Sequence, residues 1–173
     1  MKILITGVSG LVGGNLANIY SGKYEIDGIY RDNEVSIPGC KIFPLDLSKK
    51  ESVDDIKKKY DIVIHCAAPT NLDYCEQNRD YTDKQIYDAT KNILDYAMEN
   101  NSFFVFLSTN AIFDGEKGNY SEDTIPNPIN YYSLVKVRTE ELVRNYKDHA
   151  ILRITPYGWN IRNKTSIAEW MLF

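Results

Sequence analysis

Tyr132 and Lys136 stand four residues apart in Tyr132-Ser133-Leu134-Val135-Lys136, which on a helix puts a phenol and an ammonium on one face. A phenol ordinarily titrates at about 10, so it needs a neighbouring positive charge to exchange protons near neutral pH. Such a pair suits general acid catalysis. Ser108 and Thr109 follow an apolar run at 103–107, so a hydroxyl sits at the C-terminal end of a strand. Tyr131 competes for the acid role, but only Tyr132 has lysine four residues on.

A different chemistry belongs to Thr6-Gly7-Val8-Ser9-Gly10-Leu11-Val12-Gly13, where Gly7, Gly10 and Gly13 recur every third residue. A tight turn without Cβ, close approach of a pyrophosphate to backbone N–H groups, and close helix–strand packing each require glycine. The helix that follows adds N–H donors and partial positive charge for phosphates. At the end of the second strand an acidic residue would hold the ribose 2′-hydroxyl of NAD. Here the order is Tyr30-Arg31-Asp32, and a guanidinium at Arg31 suits a 2′-phosphate. NADP is therefore the preferred dinucleotide, with Asp32 leaving NAD open.

The elements that must position these groups alternate between β-rich runs and helical periodicity. Strands are expected at 3–6, 24–30, 41–45, 61–66, 103–107 and 150–154. Leu11, Val12, Leu16, Ile19 and Tyr20 have helical spacing, as do Ile86, Ala89, Ile93, Leu94 and Ala97, and a further helix is expected at 132–145. Ser48 and Glu51 have the spacing of a capping box, with Val53, Ile56 and Tyr60 as the buried stripe of its helix. Repeated βα units predict an α/β fold, a Rossmann-type doubly wound parallel sheet of about six strands with helices on both faces. Residues 1–160 would form the dinucleotide-binding domain and 161–173 the start of a substrate-binding region. Ligands in such sheets bind beyond the C-terminal strand ends, where these motifs fall.

Bulk properties exclude several classes. Twenty basic and twenty-four acidic residues leave a net charge of −4, and Lys57-Lys58-Lys59 reads as a solvated helix face, not a nucleic-acid patch. No apolar stretch approaches the roughly 20 residues of a membrane span, nor does the N-terminus resemble a signal peptide, so a cytoplasmic protein is expected. Cys40, Cys66 and Cys75, with His65 and His149 far apart, form no metal-ligand pattern and read as buried free thiols.

Together, several motifs resemble the extended short-chain dehydrogenase/reductase superfamily and, within it, the dTDP-4-dehydrorhamnose reductase family. TGxxGxxG at the first turn is the superfamily form. The family pattern STxxxFDG, then YxE, P and YxxxK is matched by Ser108 to Gly115, Tyr120-Ser121-Glu122, Pro126 and Tyr132 to Lys136. Cys66-Ala67-Ala68-Pro69-Thr70 to Glu76 resembles its AAxTxVDxxE loop, and Leu152-Arg153 to Asn160 its LRxxxxYGxN segment.

The resemblance implies an NAD(P)H-dependent reductase of a nucleotide-linked 4-keto-6-deoxysugar, serving surface polysaccharide synthesis. Tyr132 would be the general acid, Lys136 would assist it and bond the nicotinamide ribose, and Thr109 would hold the substrate carbonyl. The cofactor would lie along Ser9, Leu11, Val12, Leu47, Cys66, Ala67 and Ala68, with Asp46 bonding the adenine amino group. Two departures stand out. Ile86 occupies the place of an asparagine that completes a proton relay in many relatives, and Gln85 beside it would point elsewhere. The chain is also about a hundred residues shorter than family members, and Trp170, Met171 and Phe173 suggest a sticky edge and self-association. The same scaffold carries nucleotide-sugar epimerases and dehydratases, although Asn110 and Ala111 after Thr109 lack their extra acid/base groups. It also carries the non-catalytic, NADP-binding β subunit of methionine adenosyltransferase.

Overall fold

The computed structural model describes residues 1–162 and 167–172. Strands β1 (Lys2–Thr6), β2 (Glu25–Tyr30), β3 (Lys41–Pro44), β4 (Ile62–His65), β5 (Phe103–Thr109) and β6 (His149–Ile154) form one sheet in the order β3-β2-β1-β4-β5-β6. All five pairings are parallel. Helices α1 (Leu11–Tyr20), α2 (Lys50–Asp54), α3 (Leu72–Gln77), α4 (Arg79–Thr82), α5 (Ala89–Glu99), α6 (Tyr131–Arg144) and α7 (Ile167–Leu172) join the strands. A π-helical stretch, Asp83–Asp88, connects α4 to α5.

Alternation along the strands sorts side chains into two cores. Ile3 and Ile5 of β1 pack with Val8, Ala17 and Ile26 on the α1 side. Leu4, between them, joins Val63, Phe104, Phe106, Ile93 and Val143 on the α5–α6 side. Covering both faces is what lets β1 be apolar without alternation in polarity. Ile86, Ala89, Ile93, Leu94 and Ala97 are all buried, as their helical spacing predicts. Sheet order runs outward in opposite directions from β1 and from β4, which opens a crevice between their C-terminal ends.

Local expectations fail in three places. Ser48 does not cap α2. Its N–H and hydroxyl both donate to Asp46 Oδ1, at 3.0 and 2.7 Å, and the N-cap falls on Lys49 without a side-chain bond. Tyr60 is buried but lies beyond the short helix, where its hydroxyl donates to the buried Asp27 carboxylate at 2.7 Å. Cys75 alone of the three cysteines is fully buried, while Cys40 and Cys66 are partly exposed. Past residue 160, Ile161 still packs on the α1-side core, and the Trp159 carbonyl accepts from Asn15 Nδ2 at 2.9 Å. Met171 is exposed, whereas Phe173 and the Trp170 side chain lie outside the described residues.

Candidate active site

The crevice widens into a cleft of about 370 Å³. One wall is the glycine turn. Gly7 has φ +72°, and a Cβ there would lie 2.8 Å from Ala67 Cα and N, so the turn and the segment just after β4 meet backbone to backbone. At Gly13 a Cβ would come within 2.6 Å of the Gly7 carbonyl oxygen, and at Gly10 within 3.3 Å. Gly10 is the N-cap of α1, which has no side-chain cap and no acidic residue in its first turn. First-turn N–H groups are thus left for an anion. Ser9, Leu11 and Val12 line this end of the cleft, with Leu47, Cys66, Ala67 and Ala68 along its length. The Cys66 thiol is pushed up to about 12 by burial. Gly14, which the spacing did not single out, is also required, since a Cβ there would meet Val8 O at 2.8 Å.

Behind the turn runs a buried hydrogen-bonded chain that spacing alone did not suggest. Thr90 Oγ1 donates to the Ile86 carbonyl at 2.5 Å, so it must accept from His65 Nε2–H at 3.0 Å. His65 Nδ1 then accepts from Thr6 Oγ1 at 2.7 Å, whose oxygen accepts from Ala67 N–H at 3.3 Å. Burial, with Lys136 nearby, lowers the His65 pKa to about 3, so the imidazole is neutral. Its unfolded-state pKa is about 6.5, so below that pH the unfolded chain takes up a proton that the folded one refuses. Stability from His65 is complete above pH 6.5 and declines as pH falls. Between pH 6.5 and 5 the expected loss is about 2 kcal/mol. Urea unfolding across this range checks it; a flat profile, or an unchanged slope in His65→Leu, would contradict it.

The opposite wall carries the hydroxyls. Asn130 Oδ1 accepts from Ser133 N–H at 2.9 Å and Glu76 Oε2 from Tyr131 N–H at 2.8 Å, which fixes the first turn of α6. Tyr132 and Lys136 both face the cleft, as does Thr109 at the end of β5. Thr109 Oγ1 accepts from Ala111 N–H at 3.1 Å, which leaves its own hydroxyl proton to donate. The two rivals are held elsewhere. Ser108 also lines the cleft, but its hydroxyl donates to the buried Glu140 at 2.5 Å, and Tyr131 OH donates to Asp83 at 2.8 Å.

Lys136 does not relieve the phenol as its spacing predicts. Burial raises Tyr132 to about 12, while burial lowers Lys136 to about 7 and its ammonium donates to the Leu107 carbonyl at 2.6 Å. Ile86 has its side chain in the core and offers only its carbonyl, already bonded to Thr90.

At the far end, Arg31 lines the cleft with Asp32. Asp46 lies outside it, in an adjoining open depression, with Oδ1 occupied by Ser48. Gln85, as expected, points away from the relay position and reaches Arg31 across the end of the sheet, where Tyr81 joins it.

The sequence and the fold match known proteins. The RmlD substrate binding domain model matches residues 1–165. The chain belongs to this family. A hypothetical dTDP-4-dehydrorhamnose reductase from Sulfolobus tokodaii superposes with a TM-score of 0.83 at 37% identity, covering 92% of this chain and 57% of that one. The probable low-salt glycan biosynthesis reductase Agl14 of Haloferax volcanii is 28% identical over 96% of this chain and 56% of its own length. Methionine adenosyltransferase 2 subunit beta of Bos taurus is 29% identical over 88% of this chain and 46% of its own. The chain therefore spans about half the length of the curated relatives it matches. Among the described residues no helix is long and apolar enough to cross a membrane, and no group of three or more His, Cys, Asp or Glu could hold a metal ion.

Proposed function

We propose that this member of the RmlD substrate binding domain family is an NAD(P)H-dependent reductase of a nucleotide-linked 4-keto-6-deoxysugar, NADPH being preferred. The observation that carries the reading is the meeting of Thr109, Tyr132 and Lys136 with the Gly7–Gly10–Gly13 turn in one cleft. The turn fits a dinucleotide because Gly7 and Gly13, where a Cβ would collide with neighbouring backbone, keep it tight beside the cleft, and because the α1 N-terminus is uncapped. When bound, the reduced nicotinamide supplies a hydride to the sugar carbonyl carbon.

The chain's own residues would do the rest. Tyr132, raised to about 12, carries its proton at neutral pH and donates it to the carbonyl oxygen. Thr109 donates a second hydrogen bond to that oxygen and opposes its drift as charge develops. Lys136, buried and titrating near 7, can keep or release a proton with little cost, and it would turn from Leu107 toward the ribose hydroxyls. Surface polysaccharide synthesis in the cytoplasm, and self-association, belong to the same proposal. So does a division at residue 160 between cofactor and substrate regions.

The similarity to methionine adenosyltransferase 2 subunit beta, together with the apolar Ile86, favours a second reading as a dinucleotide-binding regulatory subunit. NADPH oxidation on adding dTDP-4-keto-6-deoxyhexose separates the two. Turnover by the intact protein is the expected result; NADPH binding with no turnover would sink the reductase reading and favour the regulatory one.

A further inference from the structure

Arg31 is held at three points. Its Nε donates to Asp32 Oδ2 at 2.6 Å, one terminal nitrogen to Gln85 Oε1, and the other to Tyr81 OH at 3.1 Å. Asp32 is its chain neighbour, whereas Tyr81 and Gln85 come from α4 and the π-helical turn, fifty or more positions away. They stand four residues apart on one helical face. Tyr81 is itself braced edge-on against the Tyr74 ring at 5.3 Å, and the guanidinium lies 5.8 Å from the Tyr81 ring centroid.

We propose that Tyr81 and Gln85 are specificity-determining residues for the dinucleotide, holding Arg31 at the end of β2 to grip a ribose 2′-phosphate. The inference rests on the reading that the cleft binds a nicotinamide dinucleotide. A guanidinium has five N–H donors, and three are engaged here, which leaves one on each terminal nitrogen for a phosphate to accept. Gln85 and Tyr81 are neutral acceptors, so they orient the charge without cancelling it. Asp32 alone of the three is anionic, and at 63% side-chain exposure water weakens its hold.

The clamp also has an electrostatic reason. Asp32, Asp46 and Asp55 surround this rim, and a loose guanidinium would pair with those carboxylates instead of a ligand. Arg31, Tyr81 and Gln85 line both the main cleft and the outer depression, so the held guanidinium sits where the two meet. A phosphate gains a foothold among these carboxylates where the Arg31 guanidinium is fixed in place.

Reduced-nicotinamide fluorescence titrations of the full chain with NADPH and with NADH test this in wild type, Gln85→Leu, Tyr81→Phe and Arg31→Leu. Wild type is expected to prefer NADPH. Each clamp variant should lose about tenfold in NADPH affinity, as expected for a hydrogen bond to a charged group, and stay within about twofold for NADH. Unchanged NADH binding also reports that each variant is folded. In an Arg31→Leu background, Gln85→Leu should add nothing. Equal losses for both dinucleotides, or a Gln85→Leu effect that persists without Arg31, would overturn the clamp while leaving the dinucleotide site intact. A wild type with no preference overturns the clamp and the NADPH preference together. A wild type that binds neither dinucleotide overturns the functional reading as well.

Discussion

Tyr132→Phe is expected to lower turnover by about 10²–10⁴-fold while NADPH affinity stays within a few fold. The substitution keeps the ring that lines the cleft and removes only the group that carries the proton. Burial holds that phenol protonated well above neutral pH, so the wild-type acid is fully charged with its proton at the start of each cycle. Thr109 can still hold the carbonyl oxygen, but a hydrogen bond without proton delivery leaves the alkoxide unquenched. Tyr131→Phe is the control, because its hydroxyl donates to Asp83 and not into the cleft. Steady-state NADPH oxidation and fluorescence titration measure the two quantities separately. Normal turnover in Tyr132→Phe would remove the acid assignment; equal loss in Tyr131→Phe would transfer it.

Glu140→Ala should destabilise the fold by about 3–5 kcal/mol, because it removes the buried carboxylate to which Arg153, Arg144 and Ser108 all donate. Glu140 has 2% side-chain exposure. Its Oε1 accepts from Ser108 Oγ at 2.5 Å and Arg153 Nε at 3.1 Å, and its Oε2 from Arg153 at 2.8 Å and Arg144 at 3.1 Å. One carboxylate thus ties α6 to β5 and β6. Removal leaves Arg153, at 15% exposure, against the Phe113 ring without the carboxylate that accepts from its Nε and one terminal nitrogen, and with Glu122 as a more distant charge. By contrast, breaking the exposed Lys91–Asp95 pair with Lys91→Ala should cost no more than about 0.5 kcal/mol. Burial pushes the Glu140 pKa up, but bonds from Arg153, Ser108 and Arg144 overcome this and hold it below the usual value. Its contribution is therefore present above the unfolded carboxylate range and is lost as pH falls through the folded pKa, below the pH 6.5 to 5 range that tests His65. Urea unfolding at neutral pH gives the comparison, and a loss below about 1 kcal/mol would mean that solvent already screens the cluster.

The same two sites show why some features were legible in the residue order. Gly7, Gly10 and Gly13 impose local backbone constraints, and a positive φ or a missing Cβ is written at the position where it acts. Tyr132 and Lys136 share a face because helical pitch alone decides it. Alternation in β1 and the 86–97 stripe likewise depend on nearest neighbours along one element. The family resemblance, carried by several motifs in order, rested on the same local spacings.

Partners distant in sequence were not legible. Which of the two cleft-lining residues, Ser108 or Thr109, keeps its hydroxyl free depends on Glu140, 32 positions from Ser108, and Gln85 meets Arg31 across 54. His65 looked like an isolated ring until β1 and β4 became neighbours and brought Thr6 to it across 59. The Ser48 capping box failed because Asp46, two residues earlier, competed for the same hydroxyl. Lys136 could be placed beside Tyr132 by pitch, yet its bond to Leu107 and the depth of both side chains came from β5 packing under α6. Residue order determined the elements, the glycine turn and the identity of the candidate acid, because those depend on dihedral preference and period. Sheet order alone decided which hydroxyl, which charge and which proton state each candidate has, because burial and long-range hydrogen bonds exist only after the strands are side by side.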